Sequence, residues 1–260
     1  MSVAETVEFM TSGSTGGAKK IVKTCRSLDL DAEMLVKSLP ELFASRPYVV
    51  ATIRREHMFG ALWRARVPAI AGCEVHPETV ISVEQLVAAA EGHEKLLLLT
   101  TPSFLEGALK NVDFKELKPQ FSGIVTSGSL LGSDLARRVF EAAGVAVTEI
   151  FGSTETGSVA WRRQIDGELW TLFDAVAADV TGAGFIQVDS EFSFERPFTM
   201  GDLVEFVSPR EFRLLGRGDR RVKILERYVS LPLLEEAMEK HPFVARAHAV
   251  VSDDAVPRIH

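Results

Sequence analysis

Cysteine is scarce in this 260-residue chain, with Cys25 and Cys73 the only two. Two thiols without metal-ligand spacing give neither a disulfide framework nor a cysteine-rich zinc site. They fit a reducing compartment and read as inert core thiols. A basic excess is missing as well. A net charge of −7 and an isoelectric point near 5.5 supply no broad positive field, so nucleic acid is not an expected partner. Long apolar runs are also lacking: the longest, at 96–99 and 244–251, are too short to cross a bilayer. No signal peptide opens the chain, so a cytoplasmic protein without membrane attachment is expected. With 46% hydrophobic and 25% charged residues, the composition is that of a globular protein with a sizeable core.

Short β-branched or apolar runs alternate with helical patterns. Strands are expected at 7–10, 48–53, 95–100, 123–127 and 145–150, and helices around Leu62, around Phe104 and from Ser133 or Asp134, with a capping residue ahead of Leu135 and Gly144 as terminator. That alternation predicts an α/β fold, a mostly parallel sheet covered by helices over residues 1–165. From Gly167 the punctuation by Gly182, Gly184, Pro197, Gly201 and Pro209 predicts a small β-rich subdomain over 166–216. A basic segment, 217–223, then leads to a helix at 232–240 and a final strand at 245–251.

Thr11, Ser12, Gly13, Ser14, Thr15, Gly16, Gly17, Ala18, Lys19 and Lys20 concentrate hydroxyls, glycines and ammonium groups. Glycines let backbone N–H groups converge on phosphate oxygens, hydroxyls add donors, and lysine offsets negative charge. The spacing is not that of a Walker loop, because Ala18 stands at the second glycine and no Ser or Thr follows the lysine. A flexible Gly/Ser linker is the competing reading of the same composition.

This segment resembles the phosphate-loop signature of the adenylate-forming superfamily of acyl-CoA synthetases, aryl-acid ligases and peptide-synthetase adenylation domains. Three later segments extend the likeness in the same order. Phe151-Gly152-Ser153-Thr154-Glu155 is similar to the aromatic-Gly-x-Thr-Glu motif, Thr199-Met200-Gly201-Asp202 to the Thr-Gly-Asp motif, and Gly216-Arg217-Gly218-Asp219 to the hinge motif.

The resemblance implies ATP-dependent activation of a carboxylic acid, with Mg²⁺, and transfer of the acyl group to CoA or a phosphopantetheinyl carrier protein. In that arrangement Thr11, Ser12, Gly13, Ser14, Thr15, Gly16 and Lys19 hold the β- and γ-phosphates. Thr154 contacts the α-phosphate and Glu155 binds Mg²⁺; a solvated loop carboxylate is the alternative for Glu155, weakened by its place directly after a strand and a Phe-Gly turn. Ser127, Gly128 and Ser129 line adenine with Gly152, and Phe151 stacks on it unless it is a core phenylalanine. Asp202 and Arg217 reach the ribose, and Asp219 is the hinge to a mobile C-terminal α+β subdomain over 217–260. His57 and Phe59, with Ser127 and Gly152, would line the acid pocket; a structural histidine is the alternative for His57.

The segments Thr156-Gly157-Ser158-Val159-Ala160-Trp161 and Gly167-Glu168-Leu169-Trp170 are similar to aryl-acid ligases of aryl polyene and xanthomonadin-type pigment clusters. The chain departs from the family pattern in carrying few residues before its phosphate loop, and no lysine after Lys240 for the distal catalytic role. Ala18 also replaces a usual proline, and Glu226-Arg227 stands where Arg-Gly is common. These departures leave three expectations: a ligase that is a fragment of a longer chain or is completed by a separate subunit, an ATP- or acyl-adenylate-binding module without autonomous turnover, or a scaffold protein. Apolar surface left by the missing N-terminal subdomain would favour oligomerisation or a partner.

Overall fold

The computed structural model describes residues 5–12, 18–111, 114, 121–218, 221–224 and 227–250. Backbone contacts divide the chain into two units, 1–177 with 188–198, and 178–187 with 199–260. Packing thus divides the chain at other places than the change of composition at residue 166 does.

The first unit opens with an antiparallel hairpin of β1 (Thr6–Ser12) and β2 (Ala18–Thr24), in which Thr11 faces Lys19 and Ser12 faces Ala18. Alternation sets its faces: Phe9 and Ile21 are buried, while Glu8 and Lys20 form an exposed ion pair at 2.6 Å. Helix α1 (Cys25–Ser38) follows at once, because the Thr24 hydroxyl accepts the Ser27 N–H at 3.0 Å and so caps the first turn. Its buried stripe runs through Leu28, Asp31, Ala32 and Leu35.

Four strands then pair in parallel and in chain order: β3 (Tyr48–Ala51), β4 (Leu96–Thr100), β5 (Phe121–Ser127) and β6 (Val147–Ser153). β4 is buried at every position, as a strand covered on both faces should be. Two antiparallel strands, β7 (Gly157–Arg162) and β8 (Trp170–Leu172), extend the sheet from β6. Helices α4 (Val83–Ala90), α5 (Pro102–Asn111) and α6 (Ser133–Ala143) cover the parallel strands. Leu86, Leu105 and Val139 join Val50, Leu98 and Ile124 in one apolar cluster. The α/β expectation holds.

The helix around Leu62 is present as α2 (Met58–Ala61) and α3 (Val67–Ala71), joined by a π-helical stretch, Leu62–Arg66. Its widened turn accompanies an inward Arg64, whose guanidinium donates to the carbonyls of Ile53, Pro77 and Glu78 and to the Thr79 hydroxyl.

In the second unit β9 (Ala177–Val180), β10 (Phe185–Asp189), β11 (Phe198–Ser208) and β12 (Glu211–Arg217) lie in the order β12-β11-β10-β9. A hairpin of β13 (Arg221–Ile224) and β14 (Arg227–Ser230) precedes α7 (Leu231–Glu239).

Three expectations need correction. Helix α6 is capped by Gly132, which has no side chain to bond the first-turn N–H groups, and Asp134 lies inside the first turn, where it pairs with Arg137 at 2.6 Å. The segment 245–250 is not a strand, because helix carboxylates take its donors: Glu239 accepts from the Ala247 N–H and Glu235 from the Ala249 N–H. The two cysteines are free but half-buried rather than core. Cys25 Sγ lies 3.2 Å from an Arg66 nitrogen, and burial raises the Cys73 thiol above its ordinary value.

Candidate functional site

Ligands of open α/β sheets bind beyond the carboxyl ends of the parallel strands. Here those ends are Ala51, Thr100, Ser127 and Ser153. The segments singled out by sequence follow three of them: His57 and Phe59 after β3, Ser127 to Ser129 at the end of β5, and Phe151 to Glu155 at the end of β6. Thr52 and Thr100 join the first two ends by a hydroxyl–hydroxyl contact of 2.9 Å.

The turn between β6 and β7 is built by its own hydroxyls. The Ser153 N–H donates to Thr156 Oγ1 at 3.0 Å, and the Thr156 N–H returns to Ser153 Oγ at 3.1 Å. That reciprocal pair leaves Thr154 and Glu155 as the half-buried tip of the turn. Gly152 is required because a Cβ there would lie 2.0 Å from the Gly157 carbonyl oxygen. The two backbones approach too closely for any side chain.

Phe151 is 9% exposed, and its ring lies 5.5 Å from Trp170, tilted by 53°. The core reading of Phe151 therefore describes at least one of its faces. Ser127 is tied across to β6, its hydroxyl donating to the Ile150 carbonyl at 2.8 Å, while Gly128 and Ser129 are exposed. A residue missed by sequence reasoning holds the loop beyond them. The buried carboxylate of Glu149 accepts the Leu131 N–H at 2.9 Å and pairs with Arg162 at 2.7 Å and 3.2 Å. Arg162 in turn lies 4.5 Å over the Trp170 ring. Burial raises the Glu149 carboxyl above its ordinary value even though the Arg162 guanidinium pulls it down.

The segment expected to cradle phosphates is only partly described. Thr11, Ser12 and Lys19 belong to the paired ends of β1 and β2, and Gly13, Ser14, Thr15 and Gly16 lie outside the described residues. His57 is exposed at the start of α2, and Phe59 packs 5.8 Å from Trp63.

Asp202 and Arg217 belong to the second unit, where they face each other across β11 and β12. Arg217 Nη1 lies 3.3 Å from Asp202 Oδ2. Gly201 keeps that guanidinium close, since a Cβ there would come 3.0 Å from Arg217 Nη2. The Thr-Gly-Asp and hinge motifs are thus neighbours in one antiparallel ladder. Asp219 lies outside the described residues.

Also missed were Lys23 and Asp31, charged side chains that are 3% and 1% exposed. Their signal was visible. Lys23 follows Ile21 by two positions on the inward face of β2, and Asp31 stands in the apolar stripe of α1.

Among known proteins, a 4-coumarate–CoA ligase of Cereibacter sphaeroides is 25% identical over 239 residues, which cover 92% of this chain and 55% of the relative. A probable non-canonical nonribosomal peptide synthetase, CymA of Salinispora arenicola, is 28% identical over 281 residues, 94% of this chain and 4% of that protein. The o-succinylbenzoate–CoA synthetase MenE of Bacillus subtilis, solved with ATP and magnesium, shares the fold with a TM-score of 0.82 at 17% identity, covering 97% of this chain and 58% of that one. The chain thus spans about half the length of the acid–CoA ligase it matches. The profile of the family described as AMP-binding enzyme matches residues 9–191, which take in most of the β1–β2 hairpin, the parallel sheet and the Glu155 turn, so the chain belongs to that family.

Proposed function

We propose that the chain carries the nucleotide-binding and acyl-activating core of an AMP-forming carboxylate ligase. ATP and a carboxylic acid give an acyl-adenylate and pyrophosphate, and the acyl group passes to CoA or to a phosphopantetheinyl carrier protein. The observation that supports this best is the hydroxyl-built turn presenting Thr154 and Glu155 at the carboxyl end of β6, beside the end of β5 at Ser127.

A carboxylate oxygen attacks the α-phosphorus in line as pyrophosphate leaves, so the protein's part is positioning and neutralisation of charge. In this reading Thr11, Ser12, Gly13, Ser14, Thr15, Gly16 and Lys19 hold the β- and γ-phosphates, and Thr154 the α-phosphate. Asp202 and Arg217 meet the ribose. Ser127, Gly128, Ser129, Gly152 and Phe151 line adenine, and His57 and Phe59, with Ser127 and Gly152, bound an aryl-acid pocket.

Glu155 fits Mg²⁺. Among the described residues no group of three carboxylate, histidine or cysteine side chains could hold a metal, and magnesium commonly takes one carboxylate with substrate phosphates and water. When bound, the ion neutralises phosphate charge. The fold neighbour from Bacillus subtilis was solved with the same pair of ligands.

The working parts in this reading are the core at 1–165, the β-rich segment at 166–216, and 217–260 with Asp219 as hinge. No described helix is long and apolar enough to cross a membrane. A cytoplasmic setting supplies ATP and keeps Cys25 and Cys73 free.

Acid-dependent ATP/pyrophosphate exchange with Mg²⁺, over benzoates, cinnamates and fatty acids, tests the proposal. Exchange with an aryl acid, lost in Lys19→Ala and Glu155→Ala, is the expected result. ATP binding without exchange for any acid would overturn autonomous turnover and leave the binding module.

A further inference from the structure

Lys23 and Asp31 come from neighbouring elements, β2 and α1, and each puts a charge where an apolar side chain is expected. A buried charge is costly unless hydrogen-bonded, so the partners of each show what it is there for. Lys23 Nζ donates to the Phe192 carbonyl at 2.7 Å. Asp31 Oδ2 accepts the Ser158 N–H at 3.1 Å.

Both partners border the turn that carries Thr154 and Glu155. Ser158 stands just past Gly157, the first residue after the turn. Phe192 begins a short segment stitched to it: the Phe194 N–H donates to the Glu155 carbonyl at 2.7 Å, and the Ser193 hydroxyl to the Thr156 carbonyl at 3.3 Å.

Gly157 closes the assembly. Its φ is +75°, and a Cβ there would lie 2.6 Å from Asp31 Oδ2 and 2.8 Å from Phe192 Cδ2. The turn therefore rests directly on the Asp31 carboxylate and the Phe192 ring. The field of the site reaches the pair too, since the charges of Asp31 and Glu155 both favour the Lys23 ammonium against the desolvation that pulls it down to about 8.

We propose that Lys23 and Asp31 are positioning residues for the Thr154–Glu155 turn, holding it in register with the strand that leaves the phosphate loop. This rests on the reading of Glu155 as the carboxylate that meets the magnesium nucleotide. An apolar pair would fill the same space and remove the desolvation of both charges, which offsets part of the cost of the two backbone groups it leaves unbonded. It would not bond the Phe192 carbonyl or the Ser158 N–H, so stability and positioning can be separated.

The experiment compares wild type, Asp31→Asn, Lys23→Met and the double variant Lys23→Met/Asp31→Leu with a remote core variant, Leu105→Ala. Amide hydrogen exchange is read over 153–158, 192–194 and 133–143, and ATP/pyrophosphate exchange is titrated with Mg²⁺. Expected in the double variant are amides at 153–158 and 192–194 that exchange about tenfold faster or more, with 133–143 unchanged. The Mg²⁺ needed for half-maximal activity should rise by about tenfold, with KM for the acid changed by less than about twofold. Asp31→Asn, whose amide oxygen can still accept from Ser158, should fall between wild type and the double variant. Equal acceleration in all three segments, no acceleration, or the same pattern in Leu105→Ala would overturn the proposal. A wild type inactive with every acid would remove the ligase reading alone, because hydrogen exchange still decides the positioning claim.

Discussion

Replacing Arg162 with methionine leaves the Glu149 carboxylate buried and without its cation. The side chains of the pair are 9% and 2% exposed, and two nitrogens of Arg162 bond Glu149 at 2.7 Å and 3.2 Å. Even so, burial holds the Glu149 carboxyl above its ordinary value, so Arg162 and the Leu131 N–H do not fully offset its desolvation. A carboxyl raised in the folded state binds its proton more tightly there than in the unfolded chain. Stability is therefore lost as pH rises from the ordinary carboxylate value through the raised one.

Removing Arg162 widens that interval. Arg162→Met should cost about 3 to 5 kcal/mol at about pH 8, and clearly less at about pH 5, where Glu149 can take up a proton. At about 2 to 4 °C per kcal/mol, the melting temperature should fall by roughly 6 to 20 °C at the higher pH. Glu149→Leu/Arg162→Met removes both charges and should recover more than about half of the loss, leaving mainly the unpaired Leu131 N–H. Thermal and urea unfolding of the three proteins at both pH values measure the cycle. A loss under about 1 kcal/mol for Arg162→Met, equal losses at the two pH values, or strict additivity in the double variant would refute this account of the pair.

Gly152→Ala forces a Cβ against the Gly157 carbonyl at 2.0 Å, with no side chain able to move aside. It should cost at least about 1 to 3 kcal/mol by denaturant unfolding and abolish pyrophosphate exchange. Arg64→Lys should destabilise by about 2 kcal/mol or more, measured the same way, because one ammonium cannot serve three carbonyls and a hydroxyl now met by a single guanidinium. Burial pushes the Asp31 carboxyl from 3.8 up to about 6, so wild-type stability should fall relative to Asp31→Asn as pH rises through that window, in urea titrations at successive pH values. Glu155→Gln, at a half-buried turn tip, should lower exchange activity at least about a hundredfold while moving the melting temperature by less than about 2 °C.

The α/β class, the parallel strands and the turn after β6 were legible in the sequence because each is written in local spacing. Apolar runs bounded by helical patterns predict β3 to β6, and the glycines at 152 and 157 stand where the backbone approach and the positive φ need them. Gly144 as a terminator belongs to the same local chemistry. Other features depended on partners remote in sequence. The bond from Lys23 spans 169 residues and that from Asp31 spans 127, so no window along the chain contains both ends. The same holds for Arg64, whose acceptors pull it into the core and accompany a π-helical turn, and for 245–250, where an apolar run finds helix carboxylates instead of a neighbouring strand. Sequence by itself determined the parallel strands and the motif residues that follow them, because propensity and periodicity act between near neighbours. Only the tertiary structure decided which charges are buried and what they hold, because desolvation and hydrogen-bond partnering depend on the chain folded back on itself.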